Sequence, residues 1–462
     1  MNVPRSIFRQ YDIRGLVGSE LTPALARALG RSFATLGWER LGRAPVLAVG
    51  RDNRPSGEAL AAAVRDGIAE AGGTAVDVGQ LPTPALYFAV HALPCDGGLQ
   101  VTGSHNPPEF NGFKMVLAGE AIYGVDVLRL YEIISLETWR EGRGRQTADS
   151  SILGRYREAI CSRHRLHRPL KVVVDCGNGV GSLVAVETLA ALGAEVVPLF
   201  CESDGTFPNH HPDPTVLENL RDLQAAVRRS AADLGVAFDG DADRIGAVDE
   251  TGEVVFGDQL LVLYGRDAVR RFGPGVPVIF DVKCSEVLPQ ALRAAGADPE
   301  MWKTGHSLIK ARMKERGAPL AGEMSGHMFF GGDWFGFDDA LFAAARLLEI
   351  VSAQPGGLSR TLADLPRTFA TPELRLDCPE ELKFGLVERA SRHFAARYPV
   401  NTIDGVRMTF PNGWGLVRAS NTQPILVLRF EATDQASLAA YQSEVMGWLE
   451  RERATAGAAA VP

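Results

Sequence analysis

The stretch KVVVDCGNGVGSLVAVETLAALG, Lys171 to Gly193, runs from three consecutive valines through a polar, glycine-rich turn into a segment with helical apolar spacing. It reads as a buried strand feeding a helix, the opening of a crossover unit in an α/β layer. The same order recurs in APVLAVGRDNRPSGEALAAAV from Ala44 and in VPVIFDVKCSEVLPQALRAAG from Val276. These openings are roughly a hundred residues or more apart, which is the spacing of whole domains and not of a short solenoid unit.

Each opening is followed, some tens of residues later, by a second apolar stretch that stops in a dense polar loop: GLQVTGSHNPPEFNG, DLGVAFDGDADRIG and APLAGEMSGHMFF. In open α/β sheets ligands lie beyond the carboxyl ends of the strands, so three similar domains would offer three different loops to one cleft. From about Arg367 the pattern changes to shorter alternating segments and a final helix-like QASLAAYQSEVMGWLERE, with another polar loop at Arg418 to Gln423. The expected architecture is α/β: three similar mixed-sheet α/β domains (residues 1–150, 151–253 and 254–366) plus a C-terminal α+β domain (367–462) around a central cleft. The tail RATAGAAAVP is expected to fray.

At 462 residues the chain has room for several domains of roughly 150 residues. Its 46% hydrophobic and 23% charged residues are ordinary for a soluble globular protein. A formal net charge of −8 speaks against a nucleic-acid partner, and any phosphate site must concentrate cations locally against that field. The basic stretch RYREAICSRHRLHRPLK, Arg155 to Lys171, is read as a solvated helix leading into the second domain. Six dispersed cysteines without a C-x-x-C predict reduced thiols. With neither a signal-like leader nor an eighteen-residue apolar run, a cytoplasmic protein with no membrane contact is expected.

In DGDADR, Asp239, Asp241 and Asp243 alternate over five residues, which brings three carboxylates to one side of an extended or looping backbone. Three such anions repel unless a hard cation joins them. An EF-hand is excluded because Arg244 stands where that loop needs Gly. Asp-x-Asp also opens aspartate-nucleophile phosphatases, but Ser104, in TGSHNPPEFNGFK, offers another phosphoryl acceptor in a tight exposed turn. That serine lacks the second Gly of the G-x-S-x-G elbow, so acyl transfer is not indicated. GEMSGHMFF offers Glu323 and Ser325 for sugar hydroxyls and His327 for proton transfer. RASNTQP gathers Arg418, Ser420, Asn421 and Thr422, an anion dock.

Together, the four loops resemble the α-D-phosphohexomutase superfamily, and most closely its phosphomannomutase/phosphoglucomutase branch. The likeness runs from FRQYDIRG at Phe8 through T-G-S-H-N-P and G-E-M-S-G-H to the last loop. It implies that Ser104 is a phosphoserine completing the shell of one Mg²⁺ per chain with Asp239, Asp241 and Asp243. Glu323 and Ser325 would hold the sugar O3 and O4, and Arg418, Ser420, Asn421 and Thr422 the phosphate that is not reacting. Tyr11, Arg14, Lys114, Arg244, Lys283, His306 and His327 match positions lining the family's cleft. Lys114 and His327 would move protons, and Arg14 and Arg244 would join them around the reacting group.

The reaction so implied interconverts mannose or glucose 1-phosphate and 6-phosphate through a bound 1,6-bisphosphate, which would also serve as activator. Because one serine must serve both ends, the intermediate has to turn round under a mobile fourth domain. Hexose phosphates would be the partners of a monomer or weak homo-oligomer. A metal-dependent sugar-phosphate phosphatase, a phosphoglucosamine mutase and a non-catalytic sugar-phosphate sensor remain as alternatives.

Overall fold

The computed structural model describes residues 1, 3–421 and 423–459, with side chains to residue 453 at the C-terminal end. Among these residues are four β-sheets in chain order, of seven, five, four and six strands.

The first three sheets share one four-strand motif. In the first, Val46–Arg51 lies parallel to Thr74–Gln80 on one side and to Gly97–Val101 on the other, and Phe110–Leu117 runs antiparallel against Gly97–Val101. In the second, Lys171–Asp175 takes the central place between Glu195–Leu199 and Leu234–Phe238, with Ile245–Asp249 antiparallel outside. The third repeats this with Pro277–Asp281, Asp298–Trp302, Leu320–Gly322 and antiparallel Met328–Phe330. The apolar openings seen in the sequence are the three central strands. Val172 to Asp175 and Val278 to Asp281 are fully buried, as strands covered on both faces must be.

One hydrophobic core joins residues from all three sheets, including Ala48, Val174 and Val278. The C-terminal sheet is antiparallel and has a core of its own, with Phe394, Leu428, Phe430 and Trp448. Helices Glu380–Ala395 and Gln435–Ala459 pack on it and on each other. Two buried arginines anchor this unit to the third. Arg407 donates to the carbonyls of Val282 and Cys284 at 2.5 and 2.8 Å, and Arg429 reaches the Lys283 carbonyl and Asp258.

The last helix runs to Ala459, taking in most of the stretch expected to fray; alanine, which dominates it, has the strongest helix propensity. Residues 460–462 lie outside the described residues. In the basic stretch Arg168 pairs with Asp233 at 3.0 Å and Lys171 with Glu195 at 2.9 Å, and the guanidinium of Arg163 lies over the ring of Trp334. All six cysteines are unbridged. Among the described residues no helix is long and apolar enough to cross a membrane.

Candidate active site

Each of the three repeated units places its polar loop at the same point, in the turn between the third strand and the antiparallel fourth. Residues 102–109 follow Gly97–Val101, residues 239–244 follow Leu234–Phe238, and residues 323–327 follow Leu320–Gly322. The three turns meet.

Ser104 is 1% exposed and adopts a left-handed φ of 48°, a conformation that costs a non-glycine residue roughly 1–3 kcal/mol and persists only where its surroundings impose it. Here they do. The guanidinium of Arg54 is buried beneath the loop and donates to the carbonyls of Ser104, Asn106, Pro107 and Phe110 at 2.5–2.9 Å. Asp52 neutralises it and also accepts from Thr102 Oγ1 and the Gly103 N–H. So held, Ser104 Oγ donates to Asp239 Oδ2 at 2.9 Å and lies 3.1 Å from His105 Nδ1.

Asp239, Asp241 and Asp243 are all completely buried, and their facing oxygens lie within 4.8 Å of one another. Oδ1 of Asp239 accepts from the N–H groups of Asp243 and Arg244, both at 3.1 Å. Lys114 Nζ bridges Oδ2 of Asp241, at 2.7 Å, and Oδ2 of Asp243, and Thr83 also donates to Asp241. The remaining oxygens, Asp241 Oδ1 and Asp243 Oδ1, have no hydrogen-bond partner although buried. Burial first, and then the charges of Asp243 and Asp241, push the Asp239 carboxyl well above the usual carboxylate range. Burial disfavours the charge on Lys114, but Asp241 and Asp243 outweigh it and hold the amine protonated. Buried orphan oxygens within one cluster of hard donors fit a divalent cation of the magnesium type.

The second and third turns are joined through their backbones. Ile245 N–H donates to Gly326 O at 3.0 Å, and a Cβ at Gly326, whose φ is 92°, would stand 2.3 Å from Ile245 O. The next residues pair as an isolated bridge, Arg244 with His327, and Arg244 Nε donates to His327 Nε2 at 2.9 Å. His327 Nδ1 lies 3.2 Å from Asp338 Oδ2 and 3.6 Å from Asp243 Oδ1, and His306 stacks on its ring at 5.8 Å. Glu323 is buried, accepts from the Gly305 N–H at 2.5 Å and from Ser325 Oγ at 3.3 Å, and its carboxyl is raised by that burial.

The C-terminal loop comes to the same cleft. Asn421 Nδ2 donates to the Tyr11 hydroxyl at 2.8 Å, and that hydroxyl donates to Thr304 O at 3.0 Å. Arg418 pairs with Asp404, which also accepts from the Thr304 N–H. The carbonyls of Ser420 and Gln423 are held by buried Lys383. Arg14 pairs with Asp12 and donates to Asn106 beside Ser104. Lys283 lies between the third and fourth units, 3.1 Å from Glu373 and 4.0 Å from Asp281. Thr422 lies outside the described residues.

Comparison with known proteins gives this arrangement a family. Models described as Phosphoglucomutase/phosphomannomutase, alpha/beta/alpha domains I, II and III, match residues 5–139, 155–252 and 256–369, and the C-terminal domain model matches 373–447. A phosphomannomutase/phosphoglucomutase of Pseudomonas aeruginosa is 48% identical over 438 residues, 94% of each chain. The chain belongs to the phosphoglucomutase/phosphomannomutase family. Another relative, a phosphoglucomutase of Neisseria gonorrhoeae, is 45% identical over 97% of this chain and 98% of its own. A crystal structure of a phosphoglucomutase/phosphomannomutase family protein from Burkholderia thailandensis superposes with a TM-score of 0.91 at 45% identity, covering 98% of both chains.

Several groups that build the cleft of this family member escape a reading of motifs. Arg54 and Asp52 sit in a polar turn that resembles any solvated loop. Asp338 is one of two adjacent aspartates in FGFDDA, and Lys383 falls in an amphipathic helix. Their signal is three-dimensional: each is buried and charged, a state rare without a partner.

Proposed function

We propose that this chain is a phosphohexomutase that interconverts hexose 1-phosphates and hexose 6-phosphates, with Ser104 as the carrier of the phosphoryl group. The observation that carries the reading is the hydrogen bond from Ser104 Oγ to Asp239, within a cluster that keeps two buried carboxylate oxygens unpaired. An aspartate-nucleophile phosphatase is disfavoured by the same geometry. Asp239 has two backbone donors on one oxygen and the serine hydroxyl on the other, so both of its oxygens are already engaged.

Asp239, Asp241 and Asp243, with the phosphate of Ser104, would hold one Mg²⁺, which when bound neutralises charge on the phosphoryl group. Every other task falls to side chains. Arg14, beside the serine loop, and Arg244 face the transferring group. Glu323 and Ser325 hold the sugar O3 and O4, hydroxyls common to glucose and mannose, so both sugars are substrates. Arg418, Ser420, Asn421 and Thr422 dock the phosphate that is not reacting, with Tyr11, Lys283 and His306 lining the space between.

In the transfer step the sugar hydroxyl gives its proton to His327 Nε2 as its oxygen bonds to phosphorus. The bond from phosphorus to Ser104 Oγ breaks, Oγ keeps the electron pair, and Lys114 is the donor we assign to it. The product is a 1,6-bisphosphosugar, which turns round and returns its other phosphate to Ser104. The C-terminal domain, 367–462 in the division 1–150, 151–253, 254–366 and 367–462, opens by parting Asn421 from Tyr11 while Arg407 and Arg429 keep hold of the third. A cross-link between the C-terminal domain and the first, placed outside the cleft, should therefore stop turnover; full turnover with it in place would sink the idea.

The enzyme is assigned to the cytoplasm, in keeping with its unbridged cysteines. The assay that tests the function compares glucose, mannose and glucosamine 1-phosphates with Mg²⁺ and a trace of hexose 1,6-bisphosphate. Conversion of the first two to 6-phosphates is expected. Preference for the amino sugar, or release of inorganic phosphate, would overturn it.

A further inference from the structure

Asp338 belongs to none of the four loops, yet it is completely buried at their meeting point. It bridges antiparallel to Phe329, and the next N–H, of Asp339, donates to Met328 O at 3.1 Å, so the pair runs as extended chain beside the strand that follows His327. Successive side chains of extended backbone point to opposite sides. Asp339 turns into the core, where it caps helix Ala340–Ser352 through the Phe342 N–H and accepts from Tyr156 and Trp334. Asp338 turns the other way, into the cleft.

There its two oxygens have different fates. Oδ1 accepts from Lys310 Nζ at 3.0 Å. Oδ2 lies 3.2 Å from His327 Nδ1 and 3.5 Å from His306 Nδ1, and all three of these buried atoms lack an aligned hydrogen bond. On the far side of the His327 ring, Nε2 accepts from Arg244 Nε at 2.9 Å. Arginine does not give up its proton, so Nε2 presents a lone pair and the ring proton sits on Nδ1. That assignment also decides what the group Asp243, His327 and Asp338 is. Its atoms are close enough to hold a metal ion, but a protonated Nδ1 cannot ligate one, so the contact is a hydrogen bond waiting to close.

We propose that Asp338 is a positioning residue for phosphoryl transfer: it accepts from Nδ1 of His327, and steadies His306 beside it, so that His327 turns an unprotonated Nε2 to the cleft. The proposal rests on the reading of His327 as proton acceptor. Lys310, 3.0 Å from Oδ1, favours the ionised carboxylate and fixes its direction. In the state described here Arg244 occupies the Nε2 lone pair, so its guanidinium must turn to a phosphate before His327 can accept a proton. The imidazole is thus pinned from behind and released in front by the arrival of an anion.

The test uses the full chain with Mg²⁺, selectively labelled at histidine with ¹⁵N. Long-range ¹H–¹⁵N correlation should show the His327 proton on Nδ1. Asp338→Asn should shift His327 toward the other tautomer and lower kcat by about 10–100-fold, the usual cost of losing a group that orients a functional histidine. The fall in kcat should exceed any change in KM for the hexose phosphate, because the role given to Asp338 is to orient His327 for the transfer step. Asp338→Glu should recover part of kcat. A proton on Nε2 in the unsubstituted enzyme would overturn the proposal even if no variant folds. So would Asp338→Asn with tautomer and kcat unchanged, or with kcat reduced only in step with melting temperature. If His327→Gln kept full kcat, the role given to His327 would fail instead, and the tautomer measurement would still decide what Asp338 orients.

Discussion

Ser104 Oγ donates a hydrogen bond to Asp239 Oδ2 at 2.9 Å, although the two residues belong to different sheets and are 135 positions apart in the chain. The contact exists because two turns of the same kind, each between a third strand and its antiparallel neighbour, abut. At Gly240 a Cβ would stand 2.3 Å from the Ser104 carbonyl oxygen, so the aspartate loop can approach the serine loop only with glycine there.

Gly240→Ala should therefore separate the loops while sparing the cores. A displacement of about 1 Å at a reacting centre can cost on the order of 100-fold in rate, and a loss at least that large is expected. Steady-state assay together with thermal unfolding checks it: loss of kcat with the unfolding temperature nearly unchanged is the predicted pattern.

Arg54→Met should be costly to stability. It removes the donor from four loop carbonyls and leaves Asp52 buried with no guanidinium. Breaking a buried pair in this way costs about 3–5 kcal/mol. Urea unfolding of the variant should show a fall of that size; a change below about 1 kcal/mol would mean the clamp is dispensable.

The repeated architecture was legible because its central strands are unbroken apolar runs, as in VVVD and VIFD, and because the loops that end the third strands are the most polar stretches near them. What the chain order hides is how those loops abut. Nothing in DGDADR announces that its glycine faces Ser104, or that Lys114 lies between two of its aspartates. Arg54 and Asp338 were invisible for a related reason. A charged residue in a polar loop looks solvated until the fold buries it, and only then does its partner become the informative fact.

Lys114→Met should make the apo protein depend on metal. Without the amine, Asp241 and Asp243 lose the side-chain cation that bridges them. The variant should be destabilised by about 3–5 kcal/mol in chelator, and Mg²⁺ should raise its melting temperature more than that of the parent. Differential scanning fluorimetry with EDTA and with Mg²⁺ measures both. Equal metal-induced shifts in the two proteins would contradict the assignment of the aspartates as ligands.

Glu373 links the C-terminal domain to Lys283 and also pairs with its neighbour Arg375, and Lys283 chiefly holds its carboxyl down at about 2, against an ordinary value of 4.5. A folded-state value below the unfolded one gives stability that is present above pH 4.5 and is lost as pH falls toward 2. With allowance for solvent screening, it should contribute about 2 kcal/mol at neutral pH. The stability advantage of the parent over Glu373→Gln should thus be flat from about pH 7 to pH 5 and shrink below 4.5. An advantage undiminished at about pH 3 would show that the pair does not carry it.

The central claim is that Ser104 carries the phosphoryl group between the two ends of the sugar. The most direct measurement charges the enzyme with a hexose 1,6-bisphosphate, removes the excess, and follows the phosphate by rapid quench and peptide mass after adding hexose 1-phosphate. One phosphate on the peptide containing Ser104, passing to the sugar as fast as steady-state turnover and absent from Ser104→Ala, is the predicted result. Phosphate found on Asp239, or released as inorganic phosphate while Ser104→Ala keeps its activity, would contradict it.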